Sequence, residues 1–452
     1  MKLALVNSGR KIEFATTEPL NLECIAAYVG QYGIDVKIID ELAGQNVRHE
    51  ILKYKPDIVG ITGITPVILD AYRIADMCRE MGIRTVLGGV HASVLPQEAL
   101  QHADIVVKGE GENAMRDICL KGITSGVVEG VPLKNLDEIP IFDKSGVEID
   151  FYLRMPATYI ACANSSMKVG VILSSRGCQG DCIFCHNSWR GLKYRANSVD
   201  RVITEIKILI NKYHVQCLHI IDDNFFMNKP RIYEFCNKMI ANHINIIWAA
   251  CSRVDNVDED ILKLAHKAGC RQIMFGFETG SQRMLGILNK GTTVEQNARA
   301  IKLCRDAHII SVGAFMIGSP TETVEDVRMT QQFIRDNPID SASAWITTPF
   351  PATQLWDWGV KKGLIDKNPD WSKFVFTGIN KGILVNDTMT VQEITDLFKE
   401  TNDMLNVTHN KIGLGWFIGM GFNHPIKSMT LLMRSSHSLP RYLYKIMLKE
   451  RA

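Results

Sequence analysis

Short apolar segments alternate with amphipathic segments along most of this chain of 452 residues, in two successive series. In the first series the apolar segments begin at residues 2, 35, 57, 84 and 104, and residues 67–81 repeat apolar side chains at helical spacing. Strands separated by helices form βαβ units with parallel strands. We therefore predict an α/β fold in which residues 1–125 form a Rossmann-like, doubly wound domain.

The second series begins at residue 169 and contains six strand-like segments, the last of which ends at residue 348. Six strands separated by helices predict a partial (β/α)6 barrel of the TIM type over residues 166–370. Prolines and glycines without a sustained period make residues 126–165 a predicted linker. Residues 371–452 do not continue the alternation, and we predict a small, mainly helical region that shapes a substrate pocket.

The loop after the first strand of the second series carries Cys178, Cys182 and Cys185 with the spacing C-x3-C-x2-C. Three thiolates on one loop can bind three irons of a cubane cluster and leave the fourth iron with an open coordination position. A zinc site would need a fourth ligand, and His186 is poorly placed to complete a tetrahedron with its neighbour Cys185. The other nine cysteines lie singly in apolar segments, as buried free thiols do. The three cysteines are therefore the predicted metal ligands.

The run from Arg176 to Cys185 resembles the signature of the radical S-adenosylmethionine (SAM) superfamily. In that family the open iron of a 4Fe-4S cluster binds SAM, which is cleaved to a 5′-deoxyadenosyl radical that abstracts hydrogen from an unactivated carbon. The strand ends of the second series resemble the same proteins. The resemblance implies that Glu278 accepts from the ribose hydroxyls, while Arg253 faces the SAM carboxylate or braces Glu278. The alternative for Arg253 is an ion pair with Asp255 at the rim of the barrel. The SAM-binding residues implied in this way are Phe184, Asp222, Asp223, Arg253, Glu278 and Ser281.

Glycines and small polar residues follow the strands of the first series, where a parallel sheet binds its ligands. In this order, and ahead of the three-cysteine loop, they resemble the cobalamin-binding domain of B12-dependent radical SAM enzymes. Two positions depart from the family pattern. Asn21 replaces a glycine near the first helix, and Leu42 stands where His-on cobalamin proteins have the histidine that ligates cobalt. The cobalamin-binding residues implied by the resemblance are Thr62, Thr65, Gly88, Gly89, His91, Gly109 and Glu110.

The resemblance implies a radical SAM enzyme that transfers a methyl group from methylcobalamin to a substrate radical. Leu42 and Asn21 keep open a second hypothesis, a non-methylating enzyme with a vestigial cobalamin domain. Such an enzyme would catalyse dehydration, rearrangement, cyclisation or carbon–carbon coupling. A corrinoid- or cluster-binding regulatory protein is a third hypothesis, although a sensor has no need of a ribose-binding carboxylate. The expected cofactors are a 4Fe-4S cluster, SAM and cobalamin. The sequence assigns no catalytic residue.

The net charge of +2 indicates no nucleic-acid partner, since such domains are strongly basic. The apolar run at the N-terminus is too short for a signal peptide, no stretch is long enough to span a membrane, and we expect a cytoplasmic protein. Residues 412–433 are apolar and are followed by basic residues, a pattern that predicts either contact with a membrane surface or packing over the barrel mouth. The expected partners are a small-molecule, lipid or peptide substrate and an electron donor such as flavodoxin or ferredoxin.

Overall fold

The computed structural model describes residues 1–9, 17–153, 160–163, 167–186, 194–366, 368–374 and 383–405. Within these ranges the chain forms two six-stranded parallel sheets, one after the other, with helices between the strands. This confirms the predicted α/β fold with a Rossmann-like sheet followed by a partial barrel sheet. Among the described helices, none is both long and apolar enough to cross a membrane.

The first sheet follows the strand-and-helix alternation that the sequence predicts. Its strands are β1 (Lys2–Asn7), β2 (Asp35–Asp40), β3 (Ile58–Thr62), β4 (Arg84–Gly88), β5 (Ile105–Gly109) and β6 (Gly126–Gly130). Its helices are α1 (Leu20–Gly30), α2 (Val47–Tyr54), α3 (Ile68–Glu80), α4 (Val90–Val94), α5 (Pro96–Ala99) and α6 (Gly111–Lys121). The spatial order is β2-β1-β3-β4-β5-β6, so the chain reverses direction across the sheet between β1 and β3. A parallel sheet binds its ligand in the crevice at such a switch point.

Strand β6 lies in the segment that the sequence assigns to the linker. It pairs in parallel with β5, so the first sheet extends to residue 130. The strand is short, and its exposed fraction varies from residue to residue at the edge of the sheet. Such a strand carries too few apolar residues for its period to be recognised. Further along the same segment, helix α7 (Ile149–Leu153) precedes the second sheet.

The second sheet consists of six parallel strands in chain order, as in a partial (β/α)6 barrel. The strands from here on are β7 (Val169–Ile172), β8 (Ser175–Arg176), β9 (Arg195–Ala196), β10 (Cys217–Ile220), β11 (Ile247–Ser252), β12 (Cys270–Glu278), β13 (Ile310–Ile317) and β14 (Ser341–Ile346). The helices are α8 (Val199–Tyr213), α9 (Lys229–Ala241), α10 (Glu259–Lys267), α11 (Gln282–Ile287), α12 (Val294–Asp306), α13 (Val324–Asp336) and α14 (Gln354–Lys361). The sheet order is β7-β10-β11-β12-β13-β14, while β8 and β9 form a separate antiparallel pair.

The segment after the barrel strands packs back onto the first sheet. Trp371 and Phe374 are buried in the same apolar cluster as helix α3 and strand β3. Residues 391–405 form a helix, and Thr390 caps its start by accepting from the Glu393 N–H at 3.2 Å. This helix agrees with the mainly helical character predicted for residues 371–452. The apolar segment 412–433 and the basic residues after it lie outside the described residues.

Candidate active site

The three cysteines lie on one tight loop after β7 and β8. The Gly180 N–H points to Cys178 Sγ at 3.4 Å, and the Cys185 N–H donates to the Cys182 carbonyl at 3.2 Å. A Cβ placed on Gly180 would lie 3.5 Å from the sulfur of Cys178 and 3.7 Å from that of Cys182, so the loop curls around this glycine. Among the described residues no three His, Cys, Asp or Glu side chains converge on a point that could hold a single metal ion. A cubane takes each cysteine on a different iron, which suits three thiols on one loop.

The cysteine loop is attached to the barrel through its backbone. The Ile183 N–H donates to the Leu288 carbonyl at 3.1 Å, and the Ile183 carbonyl accepts from the Leu355 N–H at 3.0 Å. The side chain of Asn289 donates to the Asp181 carbonyl at 2.8 Å. These bonds hold the loop between the turn after α11 and the start of α14.

Glu278 ends strand β12 and forms a buried ion pair with Lys290. Lys290 Nζ lies 2.6 Å from Glu278 Oε1, and both side chains are less than a tenth exposed. The β12–β13 register shifts between Gly276 and Glu278, and the φ of Glu278 is +62°, which is uncommon for a residue with a side chain. Lys290 is therefore the partner of Glu278, in place of Arg253. The sequence interpretation missed Lys290 because nothing in its local pattern separates it from a surface lysine.

Arg253 follows β11 and lies against the cysteine loop. It forms a two-pronged pair with Asp255, with N–O distances of 3.0 Å from both Nε and Nη2. A Cβ on Gly180 would come within 3.1 Å of Arg253 Nη1. Burial raises the pKa of the Cys182 thiol, and the charges of Lys290 and Arg253 oppose that rise. Two cations therefore lie near the loop, where they would stabilise thiolates.

The two aspartates after β10 have different surroundings. Asp222 is buried and accepts from Ser174 N at 2.6 Å, Ser174 Oγ at 2.7 Å and Ser175 Oγ at 2.5 Å. Burial raises the pKa of Asp222, and the two serines oppose the rise. Asp223 lies at the exposed rim and accepts from the Gly177 N–H at 3.2 Å, beside the cysteine loop. Asp222 therefore braces the end of β7, and Asp223 is the one presented to the site.

Ser281 and Phe184 also differ in what they contact. Ser281 is buried, donates to Asp326 Oδ1 at 2.7 Å and caps helix α11, so its hydroxyl is engaged within the barrel wall. The ring of Phe184 is half-buried, and Lys290 Nζ lies 6.0 Å from its centre. Phe184 thus joins Glu278, Arg253 and Asp223 around the cysteine loop, whereas Ser281 does not reach it.

At the carboxyl edge of the first sheet, the predicted cobalamin residues divide into two groups. Thr62 and Gly88 are half-buried at the ends of β3 and β4. Thr62 Oγ1 accepts from the side chain of Asn21 at 3.0 Å, so the residue that replaces the family's glycine is held at this edge. Ile64, two residues after the end of β3, is 42% exposed. An exposed apolar side chain and small residues therefore lie together at this edge of the sheet.

The other predicted cobalamin residues contact the protein itself. His91 is fully buried, with Nδ1 3.1 Å from Thr65 Oγ1 and Nε2 3.3 Å from Glu98 Oε1. A Cβ on Gly89 would lie 2.8 Å from Thr62 Oγ1, and one on Gly109 would lie 3.1 Å from the Gly130 carbonyl. Contacts within the domain therefore account for the two glycines and for the histidine at these positions. The sequence could not distinguish such contacts from contacts with a ligand.

Glu110 is buried between two arginines of the β8–β9 pair. Arg176 Nη1 lies 3.1 Å from Glu110 Oε2, and Arg195 also forms an ion pair with this carboxylate. Arg176 Nη2 in addition lies 2.6 Å from Glu112 Oε1. The carboxylate of Glu110 therefore links the first domain to the cysteine loop and does not line the sheet edge. The two arginines are a further element that the sequence interpretation missed.

The residues present fit the groups that the resemblance implies. The loop offers three thiols with two cations nearby, and Glu278, Asp223 and Phe184 offer a carboxylate pair and an aromatic face beside it. The edge of the first sheet offers small residues and an exposed apolar side chain for a corrin ring. Leu42 lies in the turn after β2 and has no atom that could bind cobalt, so this position supplies no axial ligand.

Two family models match the chain in the same order as its two sheets. The B12 binding domain matches residues 14–119, and the radical SAM superfamily matches residues 172–334. A radical SAM domain uses a 4Fe-4S cluster and SAM, and a B12 binding domain uses cobalamin. These are the cofactors of this protein.

The chain is similar along most of its length to proteins named for methyl transfer or ring closure. It is 32% identical over 407 residues to an uncharacterized methyltransferase, PH0819, of Pyrococcus horikoshii, covering 83% of this chain and 86% of that protein. It is 31% identical to the anaerobic magnesium-protoporphyrin IX monomethyl ester cyclase of Rubrivivax gelatinosus, covering 73% of this chain and 64% of the cyclase. It is 27% identical to the bacteriochlorophyllide d C-12(1)-methyltransferase of Chlorobaculum tepidum, with coverage of 82% and 78%.

Solved structures share the same arrangement of domains. The radical SAM methyltransferase TsrM from Kitasatospora setae, with cobalamin and a 4Fe-4S cluster bound, superposes with a TM-score of 0.66 at 18% identity, covering 81% of this chain and 79% of TsrM. This likeness shows the fold. From the fold, the cysteine loop and the relatives together, the chain belongs to the radical SAM superfamily, among the members that carry a B12 binding domain.

Proposed function

We propose that this protein is a cobalamin-dependent radical SAM methyltransferase that acts on a small molecule. The observation that carries the proposal is the cysteine loop, which is connected by buried ion pairs to the domain that the B12 model matches. When bound, the cluster and SAM supply a radical that removes hydrogen from carbon, and cobalamin supplies the methyl group. The relatives named methyltransferases support this outcome.

The residues of this chain would act by binding and orienting these groups. Cys178, Cys182 and Cys185 would hold the cluster. Glu278 would accept from the ribose hydroxyls, since charge-assisted hydrogen bonds fix orientation as well as adding affinity. Arg253 and Asp223 would border the methionyl end, and Phe184 would lie against the adenine. Ile64 and the edge around Thr62 and Gly88 would face the corrin.

A second candidate function retains the radical step without methyl transfer. The similarity to a cyclase supports it, and so does the apolar Leu42 at the position of the cobalt-ligating histidine. We favour methyl transfer because PH0819, which aligns over 407 residues at 32% identity, is named a methyltransferase. Two further points stay predictions. One is whether the substrate is a lipid or a peptide, and the other is the electron donor, for which flavodoxin or ferredoxin is our candidate. A cytoplasmic location and membrane contact through residues 412–433 likewise stay predictions.

The products of SAM distinguish these functions. Protein purified without oxygen, reconstituted with iron, sulfide and hydroxocobalamin, should form both 5′-deoxyadenosine and S-adenosylhomocysteine in the presence of a reductant. Formation of 5′-deoxyadenosine alone would favour the non-methylating enzyme. If neither product forms, the result would favour a regulatory protein.

Cys182→Ala should abolish both SAM products and most of the iron while leaving the protein folded. The matched control is Cys236→Ala, which changes a fully buried thiol in α9 remote from the loop. Unchanged 5′-deoxyadenosine formation in Cys182→Ala would contradict the cluster assignment. Iron analysis, liquid chromatography of the SAM products and circular dichroism together decide the result.

A further inference from the structure

Lys290 lies at the junction of two parts of the site. Its ammonium pairs with Glu278 Oε1 at 2.6 Å, and both side chains are buried. The same ammonium lies 6.0 Å from the centre of the Phe184 ring, which belongs to the cysteine loop. One positive charge therefore contacts the carboxylate that ends β12 and the residue next to Cys185.

The backbone around Lys290 also contacts the cysteine loop. The two residues before it bind the loop, because the Leu288 carbonyl accepts from the Ile183 N–H at 3.1 Å and Asn289 Nδ2 donates to the Asp181 carbonyl at 2.8 Å. The turn that carries Lys290 is thus held against the loop on both sides of Cys182. Movement of this turn would displace Lys290 and the loop together.

Strand β12 itself makes room for the ion pair, two residues before Glu278. A Cβ on Gly276 would lie 2.2 Å from Glu278 Oε1 and 2.9 Å from Lys290 Nζ, so the pair occupies the space that a side chain would fill. Glu278 reaches this position only with a left-handed backbone, at φ +62°. Residues held in sparsely populated backbone regions cluster at functional sites.

We propose that Lys290 is a positioning residue that holds Glu278 in place for SAM and keeps a positive charge beside the iron–sulfur cluster. This proposal rests on the proposed function and extends it to a residue that touches neither the substrate nor the reacting atoms. A nearby cation stabilises a cluster more after the cluster gains an electron, because the cluster then carries one more negative charge. Lys290 should therefore make reduction easier and also strengthen SAM binding through Glu278.

The test uses cluster-loaded protein and two readouts that do not depend on turnover. Lys290→Met and Lys290→Gln should shift the midpoint potential of the cluster to more negative values in an anaerobic redox titration followed by electron paramagnetic resonance. Both should weaken SAM binding roughly tenfold or more, because Glu278 loses its charged partner. Lys290→Arg keeps the charge and should stay close to wild type in potential. The matched control is Lys302→Met, since Lys302 is an exposed lysine on α12.

The outcomes separate this inference from the proposed function. A wild-type protein that binds no cluster would overturn both. A wild type that binds the cluster and SAM, with neutral Lys290 variants of unchanged potential and affinity but lower melting temperature, would overturn the inference alone. If Lys290→Met does not fold, Lys290→Gln and Lys290→Arg still compare the neutral and charged states. A more negative potential in Lys290→Gln, but not in Lys290→Arg, supports the proposal.

Discussion

Glu278 adopts a backbone conformation that few side-chain-bearing residues adopt, and it does so in the wall of the candidate site. Its φ of +62° follows a shift in the β12–β13 register, which turns the carboxylate toward Lys290. Ser281, three residues later, has an ordinary role as the cap of α11 and donates to Asp326. The sequence interpretation assigns both residues to SAM binding. In the structure, Glu278 contacts Lys290 beside the cysteine loop, whereas Ser281 contacts Asp326 in the barrel wall.

Glu278→Ala should lower the affinity for SAM by roughly ten- to a hundredfold, as expected for the loss of a charged hydrogen-bond partner worth about 1.5–3 kcal/mol. Glu278→Gln keeps the shape and one acceptor, so its loss should be smaller. Equilibrium dialysis of SAM against cluster-loaded protein measures both. Ser281→Ala is the control and should lower the melting temperature, through loss of a helix cap, without weakening SAM binding. Unchanged SAM affinity in both Glu278 variants would reduce the Glu278–Lys290 pair to a structural role.

At the scale of elements, the end of β4 brings two adjacent glycines, Gly88 and Gly89, to the carboxyl edge of the first sheet. Gly89 has a φ of +91°, and a side chain there would meet Thr62 and the backbone of Gly63. Gly88 has no such restriction, since the one contact that a Cβ would make within 4 Å is with Val107, at 3.9 Å. A Cβ at Gly88 would therefore be accommodated without displacing a neighbouring atom.

Gly88→Leu should leave the protein folded and prevent it from retaining hydroxocobalamin, because the added side chain would occupy space at the corrin edge. Gly89→Leu, by contrast, should destabilise the first domain. Visible absorbance after desalting measures the retained corrinoid, and circular dichroism measures folding. A folded Gly88→Leu protein that retains as much corrinoid as wild type would place the ring elsewhere.

At the scale of the whole molecule, buried charges connect the two domains. Arg176 and Arg195 face each other in the β8–β9 pair, and both reach Glu110, while Arg176 also reaches Glu112. Two like charges opposite each other would repel, and the carboxylates of the first domain neutralise them. A second buried cluster joins Lys144, in the segment between the two sheets, to Glu18 of the first domain at 2.8 Å and to Glu23 at 2.7 Å. The cysteine loop therefore depends on the first domain for its position.

Glu112→Gln should destabilise the protein by up to about 3–5 kcal/mol, because removing one partner leaves the Arg176 charge buried with less compensation. The matched control is Glu129→Gln, which breaks an ion pair with Lys108 at an exposed position and should cost about 0–1 kcal/mol. Urea unfolding of the cluster-free protein gives both values. Equal small losses in the two variants would mean that the domains dock without this network.

The sequence alone was sufficient to predict the two parallel sheets, the order of their strands along the chain and the three-cysteine loop. Helix α3 and the strands of both series appear within a few residues of their predicted bounds, because apolar periodicity is a local property. Strand β6 was missed because a short edge strand carries little of that signal. Cysteine spacing is likewise local, so the predicted cluster site needed no tertiary structure.

The tertiary structure alone decided which of the candidate side chains face the site. His91 is buried and its ring packs against that of Trp371, which lies 280 positions further along the chain. Glu110 forms ion pairs with arginines of the second domain. Glu278 forms an ion pair with Lys290, which no local sequence pattern predicts. Ion pairs and packing contacts form between residues that are distant in sequence, and burial sets how strongly each polar group needs a partner. Spacing along the chain therefore identifies the chemistry available, while folding determines which residues can carry it out.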